Sequence, residues 1–227
     1  EQMSDITLKI NGRELAGPEG ITILELAKQN GIDIPTLCYL EGLTPTGSCR
    51  VCVVEVDGAR ALAASCHTPI AKGMVIQTHS PKVIEARKVV VELLLASHCG
   101  SCYMCEKANL CDMRELATDL DIGNPRFPIR RRFYQIETDS TYINRDLSKC
   151  ILCRKCIRAC NEIAKKHVYA MGYRGFNSKV VVDFDEMLNK EVCKDCGICI
   201  PYCPTGALTD PTKTRQEKKG PPLIIKG

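Results

Sequence analysis

Sixteen of the 227 residues are cysteine, and their spacing sorts them into four groups. The stretch 98-HCGSCYMCEKANLC-111 carries one histidine and four cysteines, five donors where a four-coordinate site takes four. The run 150-CILCRKCIRAC-160 reads C-x2-C-x2-C-x3-C, and 193-CKDCGICIPYCP-204 repeats that spacing and adds a proline. Cys38, Cys49, Cys52 and Cys66 form C-x10-C-x2-C-x13-C. Cysteine at this density serves disulfides, structural zinc or iron–sulfur clusters. Tight CxxC turns let side chains converge on one ion or cluster, whereas disulfide frameworks are usually more dispersed. The spacing therefore points to metal.

The two C-terminal runs carry the strongest signal. Three thiolates on a tight loop can cap three irons of a cubane; the fourth iron points away and needs a distant segment. In the bacterial-ferredoxin spacing the fourth cysteine of each run therefore serves the other cluster. The crossed assignment gives one [4Fe–4S] cluster to Cys150, Cys153, Cys156 and Cys203, and another to Cys193, Cys196, Cys199 and Cys160. Gly197 would let the backbone turn closely around a cluster, and Pro204 would redirect the chain. Cys160 is followed by Asn161 rather than proline, a small departure. Zinc ribbons need only CxxC pairs and would leave a cysteine of each run idle.

Elements must position these donors. The segment 5-DITLKINGRELAG-17 alternates like a strand, turns at Asn11-Gly12 and alternates again. In 22-TILELAKQNGIDIP-35 a short helix is predicted, with Thr22 and Glu25 as a capping box and Gly31 and Pro35 as stop signals. Two strands follow around Asp57-Gly58 in 51-VCVVEVDGARALAASC-66. Hairpin, helix and further strands suggest a β-grasp domain, with the loop 38-CYLEGLTPTGSCRVC-52 between helix and strand. Gly47 and Ser48 would admit backbone N–H groups to the cluster sulfurs. Further on, 81-PKVIEARKVVVELLLASH-98 has helical periodicity with Val83, Ala86, Val90, Leu93 and Leu94 near one face, and Pro81 suits its first turn. His98 then sits at a helix C-terminus, where the dipole favours a protonated ring although ligation requires a neutral one. Spacing leaves both His98 and Cys99 as candidates for the fourth ligand of the middle group.

These ordered motifs together resemble the iron–sulfur electron-input subunit of complex I and its relatives. Those relatives include the diaphorase iron–sulfur subunit of NAD-reducing hydrogenases, some NAD-linked formate dehydrogenases and the front end of [FeFe] hydrogenases. The likeness covers residues 1 to about 210. It implies one [2Fe–2S] cluster on Cys38, Cys49, Cys52 and Cys66, and a [4Fe–4S] cluster on His98, Cys102, Cys105 and Cys111. With the twin runs this makes one [2Fe–2S] and three [4Fe–4S] clusters, and Cys99 is left spare. A neutral histidine in place of a thiolate leaves its cluster one charge less negative, which raises its potential relative to an all-cysteine site.

The fold class expected is α+β: a [2Fe–2S] β-grasp domain over 1–80, a helical segment holding the His/Cys cluster over 81–137, a twin [4Fe–4S] ferredoxin-like domain over 138–212, and a tail or docking arm over 213–227. His67, His79 and His167 fall outside the ligand spacing and read as surface or hydrogen-bonded histidines. The run Arg130–Arg132 is too short a footprint for nucleic acid and reads as a solvated or subunit-docking patch. In the tail, Leu223, Ile224 and Ile225 form a small apolar tip. The formal charge of +4 counts every cysteine as neutral; loaded clusters would bring it to about −3. Arg50, Arg154, Lys155, Arg158 and Lys194 lie inside the motifs and offset that charge. The start of the chain lacks a signal-peptide pattern and 89-VVVELLLA-96 is too short to span a bilayer, so the chain reads as cytoplasmic.

The sequence holds no Gly-rich phosphate loop, no Ser–His–Asp pattern and no obvious flavin or nicotinamide fingerprint. What remains is one-electron transfer in a hetero-oligomer. A flavin subunit would oxidise NAD(P)H on one side, and a catalytic subunit (hydrogenase, formate dehydrogenase or bifurcating enzyme) would stand on the other. A free polyferredoxin carrier and a structural zinc-binding module are the alternatives.

Overall fold

The N-terminal hairpin turns where the sequence demands it. Strands β1 (Asp5–Ile10) and β2 (Arg13–Pro18) pair antiparallel, Ile10 opposite Arg13. Between them Asn11 and Gly12 take φ of 51° and 79°, the left-handed pair that a two-residue hairpin turn needs. In this computed structural model the described residues are 5–138, 140–188 and 190–212; the tail 213–227, with Leu223, Ile224 and Ile225, lies outside them.

Helix α1 (Ile23–Gln29) opens with the expected capping box. The Thr22 hydroxyl accepts from the Glu25 N–H, and the Glu25 carboxylate accepts from the Thr22 N–H at 2.8 Å. Its apolar face, Ile23, Leu26 and Ala27, packs on the sheet with Leu8, Ile10 and Val54. Next come β3 (Val53–Val56), β4 (Ala63–Ala64) and β5 (Val75–Gln77), giving a five-stranded sheet in the order β2-β1-β5-β3-β4. Only β1 and β5 pair in parallel; the other neighbours are antiparallel. The central strand β5 is three residues long, and its one buried residue, Ile76, gives no alternation to read. Because Ile76 is fully buried between β1 and β3, Ile76→Ala should cost about 3 kcal/mol. That would be read as a lower denaturation midpoint at unchanged slope.

Helix α2 (Pro81–Ser97) starts at an N-capping Ser80, whose hydroxyl accepts from the Val83 N–H at 3.3 Å, with Pro81 in the first turn. Its buried face differs from the expected one. Val83, Arg87, Val91, Glu92 and Ala96 are buried, whereas Leu93 is half exposed. The expected stripe was rotated because periodicity assigns charged residues to solvent. Here the Arg87 guanidinium binds the Val51 and Val53 carbonyls, and the Glu92 carboxylate receives Arg126. Helix α3 (Asp112–Asp119) packs Met113, Leu116 and Ala117 toward Val91, Val51, Cys38 and Cys153. One core thus draws on the N-terminal loop, the helical segment and the first C-terminal cysteine run.

In the C-terminal part, β6 (Asn144–Arg145) precedes the first run and α4 (Lys155–Arg158) lies within it, continuing as a π-helical turn over Ala159–Ile163. The hairpin of β7 (Tyr169–Gly172) and β8 (Lys179–Val182) comes next. It is followed by α5 (Lys190–Cys193) and β9 (Leu208–Thr209). Strand β9 pairs with β6, Arg145 opposite Leu208, so the chain leaving the second run returns to the entrance of the first. The described residues are a mixed α+β assembly. No helix among them is long and apolar enough to cross a membrane.

Candidate functional site

The N-terminal quartet hangs on an irregular loop between α1 and β3, with Cys66 just after β4. Cys38, Cys49, Cys52 and Cys66 are all buried. Their thiols meet pairwise: Cys38 with Cys49 and Cys66, and Cys52 with Cys66. The loop turns through left-handed Gly47 and Arg50, with φ of 57° and 60°. That turn brings the Ser48 hydroxyl and the Cys49 N–H to the Cys38 sulfur, and the Val51 N–H to the Cys49 sulfur. Hydrogen bonds from the Cys66 thiol, its N–H and the Ser65 hydroxyl hold Cys52 down to about 6 against its burial. Cys38 is likewise held low by Cys49 and Cys66. Cys49 and Cys66, hydrogen-bonded to Cys38, are pushed up, burial adding to both.

The middle group lies where α2 ends. His98 is its C-cap residue and is buried. Its Nδ1 faces the Gly100 N–H at 3.3 Å and the Cys99 sulfur at 3.9 Å, while Nε2 is buried with no partner. Burial lowers its pKa, the positive charges of Lys149 and Arg131 add to that, and Asp146 opposes. The ring is therefore kept neutral, opposite to the helix-dipole expectation: the last-turn dipole is outweighed by desolvation. Cys102 sits in a short 3-10 turn, and Cys111 caps α3. Cys111 lies near enough to Cys105 and Cys102 to feel their charge. Burial raises the Cys111 thiol, and the first amides of α3, Arg114 and Met113, point at its sulfur and oppose that rise. Cys99 is buried beside His98, its N–H donating to the Ser148 carbonyl at 3.3 Å.

In the C-terminal part the structure brings Cys150, Cys153, Cys156 and Cys203 together around one apolar cavity, which Tyr169 and Val180 also line. Cys160 lies with Cys193, Cys196 and Cys199. Left-handed Leu152 and Arg154, with φ of 57° and 62°, curl the first loop around its sulfurs. The Leu152 N–H then reaches the Cys150 sulfur at 3.4 Å, and the Lys155 N–H reaches that of Cys153. In the second quartet the Val168 N–H donates to the Cys160 sulfur at 3.3 Å, and the Tyr169 hydroxyl lies 4.0 Å from that of Cys199. Burial pushes Cys150 to about 11, Cys153 and Cys199 to about 12, and Cys156 well above an ordinary thiol.

These surroundings fit iron–sulfur clusters. The donors are soft thiolates and one imidazole. Burial disfavours free thiolates, so a bound cation would supply the compensating charge. N–H groups aimed at the sulfurs stabilise that charge, and the orphaned Nε2 of His98 is free for a ligand. Among the described residues no group of three or more His, Cys, Asp or Glu side chains is placed to hold a single metal ion.

The groups form one connected series. Arg158, between Cys156 and Cys160, donates to the carbonyls of Cys38 and Thr44. Lys107, between Cys105 and Cys111, donates to the Cys203 carbonyl, and the Asp112 N–H donates to that of Pro204 at 3.0 Å. The spacing gave no hint of Gly206, where a Cβ would lie 2.6 Å from the Cys105 sulfur. Arg87 was hidden by its place on an apolar helix. The expected surface patch is partly occupied within the chain: Arg132 donates to the carbonyls of Phe176 and Ser178 and covers the Phe176 ring at 5.2 Å, and Arg131 lies beside Gly100. His67 and His167 are exposed, and His79 shares a 2.6 Å hydrogen bond with the Thr78 hydroxyl.

Residues 3–81 match the family described as a 2Fe-2S iron-sulfur cluster binding domain. Residues 87–126 match the NADH-ubiquinone oxidoreductase-G iron-sulfur binding region. Residues 140–209 match the ferredoxin-like domain of NADH-quinone oxidoreductase subunit 3. The NADP-reducing hydrogenase subunit HndD of Solidesulfovibrio fructosivorans is 43% identical over 92% of this chain and 36% of its own length. The alpha subunit of NADPH-Fe(3+) oxidoreductase from Geobacter sulfurreducens is 33% identical over 89% of this chain and 24% of its own length. The chain thus spans only a quarter to about a third of these two relatives. The gamma subunit of NAD-reducing hydrogenase HoxS from Cupriavidus necator is 31% identical over 90% of this chain and 87% of its own length. A chain of the NAD+-reducing [NiFe]-hydrogenase in the H2-reduced state superposes with a TM-score of 0.79 at 29% identity, over 90% of this chain and 87% of that one.

Proposed function

The chain belongs to the iron–sulfur subunit family that contains the gamma subunit of NAD-reducing hydrogenase HoxS, and on that premise we propose that it relays single electrons between a flavin-containing, NAD(P)H-oxidising subunit and a catalytic subunit. The reading assigns one [2Fe–2S] cluster to Cys38, Cys49, Cys52 and Cys66. It assigns three [4Fe–4S] clusters: to His98, Cys102, Cys105 and Cys111; to Cys150, Cys153, Cys156 and Cys203; and to Cys160, Cys193, Cys196 and Cys199. When bound, such clusters exchange one electron at a time at potentials set by charge, hydrogen bonding and burial. The protein's part is to hold the donors, aim N–H groups at the sulfurs and keep water from them.

The observation that carries the proposal is the continuity of the donor groups. Arg158 ties the N-terminal loop to the first C-terminal run, and Lys107 ties the middle group to Cys203. Donor groups in continuous contact suit a wire joining two active sites on other subunits. On the same proposal the five-stranded sheet with α1 is a β-grasp domain over 1–80. A helical segment holding the His/Cys cluster spans 81–137 and a twin-cluster ferredoxin-like domain 138–212. The catalytic partner is a hydrogenase, formate dehydrogenase or bifurcating enzyme, and the complex is a cytoplasmic hetero-oligomer.

Anaerobic purification through a tag on this chain tests the proposal. The chain should elute with a flavin-containing subunit, and NAD(P)H should bleach its visible absorbance in the complex but not in the isolated chain. Elution alone, with reversible reduction by several unrelated reductases, would favour a free polyferredoxin instead.

A further inference from the structure

Two buried arginines bracket the N-terminal quartet. Arg87, 2% exposed, donates from Nε to the Val51 carbonyl at 3.1 Å and from Nη2 to the Val53 carbonyl at 2.9 Å. Those carbonyls flank Cys52. Arg158, 5% exposed, donates from Nη1 to the Thr44 carbonyl at 2.9 Å and from Nη2 to the carbonyl of Cys38 itself. Its Nε is buried with no partner. Neither guanidinium has a carboxylate within ion-pair distance among the described residues. Each is held only by backbone carbonyls of the loop and strand that carry the thiols.

A cation taken out of water without an anion is costly, so these two positions call for a counter-charge. Burial weighs against the charge on Arg87; the groups that weigh for it are the Cys52 thiolate and, to a lesser degree, the exposed Asp33. For Arg87 the negative charge at hand is that of Cys52 in the quartet; Arg158 holds the carbonyl of Cys38 itself, with the Glu162 carboxylate on the other side of the shared Thr44, accepting from its N–H at 3.2 Å. Resting on the assignment of a [2Fe–2S] cluster to Cys38, Cys49, Cys52 and Cys66, we propose that Arg87 and Arg158 are its paired counter-charges: positioning residues that grip the ligand loop by its carbonyls and raise the cluster's reduction potential.

The direction follows from Coulomb's law. Reduction adds one negative charge, and a fixed cation in a low-dielectric setting stabilises the reduced state more than the oxidised one. Arg158 has a second consequence, because it stands between Cys156 and Cys160, which belong to different quartets of the twin domain. Its charge acts on those sites too, whereas the thiol that bears on Arg87 is Cys52, in the N-terminal quartet.

Redox titration of the complete, anaerobically prepared chain, followed by EPR and visible absorbance, tests this. Arg87→Gln and Arg158→Gln should each weaken the [2Fe–2S] cluster's preference for the reduced state about tenfold, a fall of about 59 mV for a one-electron couple. Arg87→Lys and Arg158→Lys should keep most of the wild-type potential. Arg158→Gln should also shift a [4Fe–4S] signal, and Arg87→Gln should not. Should the glutamine variants fail to load the cluster, loading of the lysine variants at near wild-type potential would equally support the role. Loaded glutamine variants at the wild-type potential would overturn it. So would equal shifts in the lysine and glutamine variants, or equal failure of both to load. A wild-type chain without a [2Fe–2S] cluster would remove the site assignment itself, and the counter-charge role with it.

Discussion

Replacing His98 with alanine should cost the protein about four iron atoms and one cluster's EPR signal, while Cys99→Ala should leave both in place. The two residues are adjacent and both buried, so exposure does not separate them. What does is the state of the imidazole. Burial and the charges of Lys149 and Arg131 keep it neutral, and its Nε2 is a buried polar atom with no partner. Leaving such an atom unsatisfied is costly, and a metal bond at that nitrogen would remove the cost. In the structure the Gly100 N–H donates to Nδ1 at 3.3 Å; ligation through Nε2 would put the ring proton on Nδ1 and would have to replace that contact. Cys99 lies beside the ring, its sulfur 3.9 Å from Nδ1, outside the proposed ligand set. His98→Cys should rebuild a four-thiolate site with a lower potential, because the cluster gains a negative charge. Loss of the middle cluster in Cys99→Ala alone would reverse the assignment.

Alanine at Cys203 should disable the cluster of Cys150, Cys153 and Cys156, although Cys203 belongs to the other run. Cys160→Ala should disable that of Cys193, Cys196 and Cys199. The reason is the pairing of β9 with β6, which returns the chain after the second run to the entrance of the first. Cys203 is thereby brought to the cavity lined by Cys150, Cys153 and Cys156. Non-additivity gives the readout. Cys203→Ala combined with Cys150→Ala should lose no more iron than either change alone. Cys203→Ala combined with Cys160→Ala should lose about twice as much, since two clusters are affected. Equal losses in both pairs would contradict the crossed arrangement.

Local features of the molecule were legible in the sequence because they are decided within a few residues. Asn11-Gly12 has to turn left-handed, Thr22 and Glu25 can reach each other across one helical turn, and Pro81 belongs in a first turn. The C-x2-C-x2-C-x3-C spacing is a local property too, and it told which thiols could share a loop. What escaped depends on segments far apart in the chain. Strand β5 becomes central only by inserting between β1 and β3. The buried face of α2 is set by Arg87 reaching back to Val51 and Val53, which a periodicity argument reads as a solvent-facing position. Gly206 has no sequence signal, since its lack of a side chain matters only because the Cys105 sulfur arrives from about a hundred residues earlier. Arg158 looked like one more charge offsetting a cluster; its contact with the Cys38 carbonyl makes it a junction between sites.

The measurement that bears most directly on the whole account is the iron, sulfide and zinc content of the anaerobically purified protein, taken with its EPR spectrum after graded reduction. A relay built on four clusters predicts about 14 iron atoms per chain with matching sulfide, a brown colour, and several reduced signals appearing at different potentials. A colourless protein holding zinc in place of iron would contradict it.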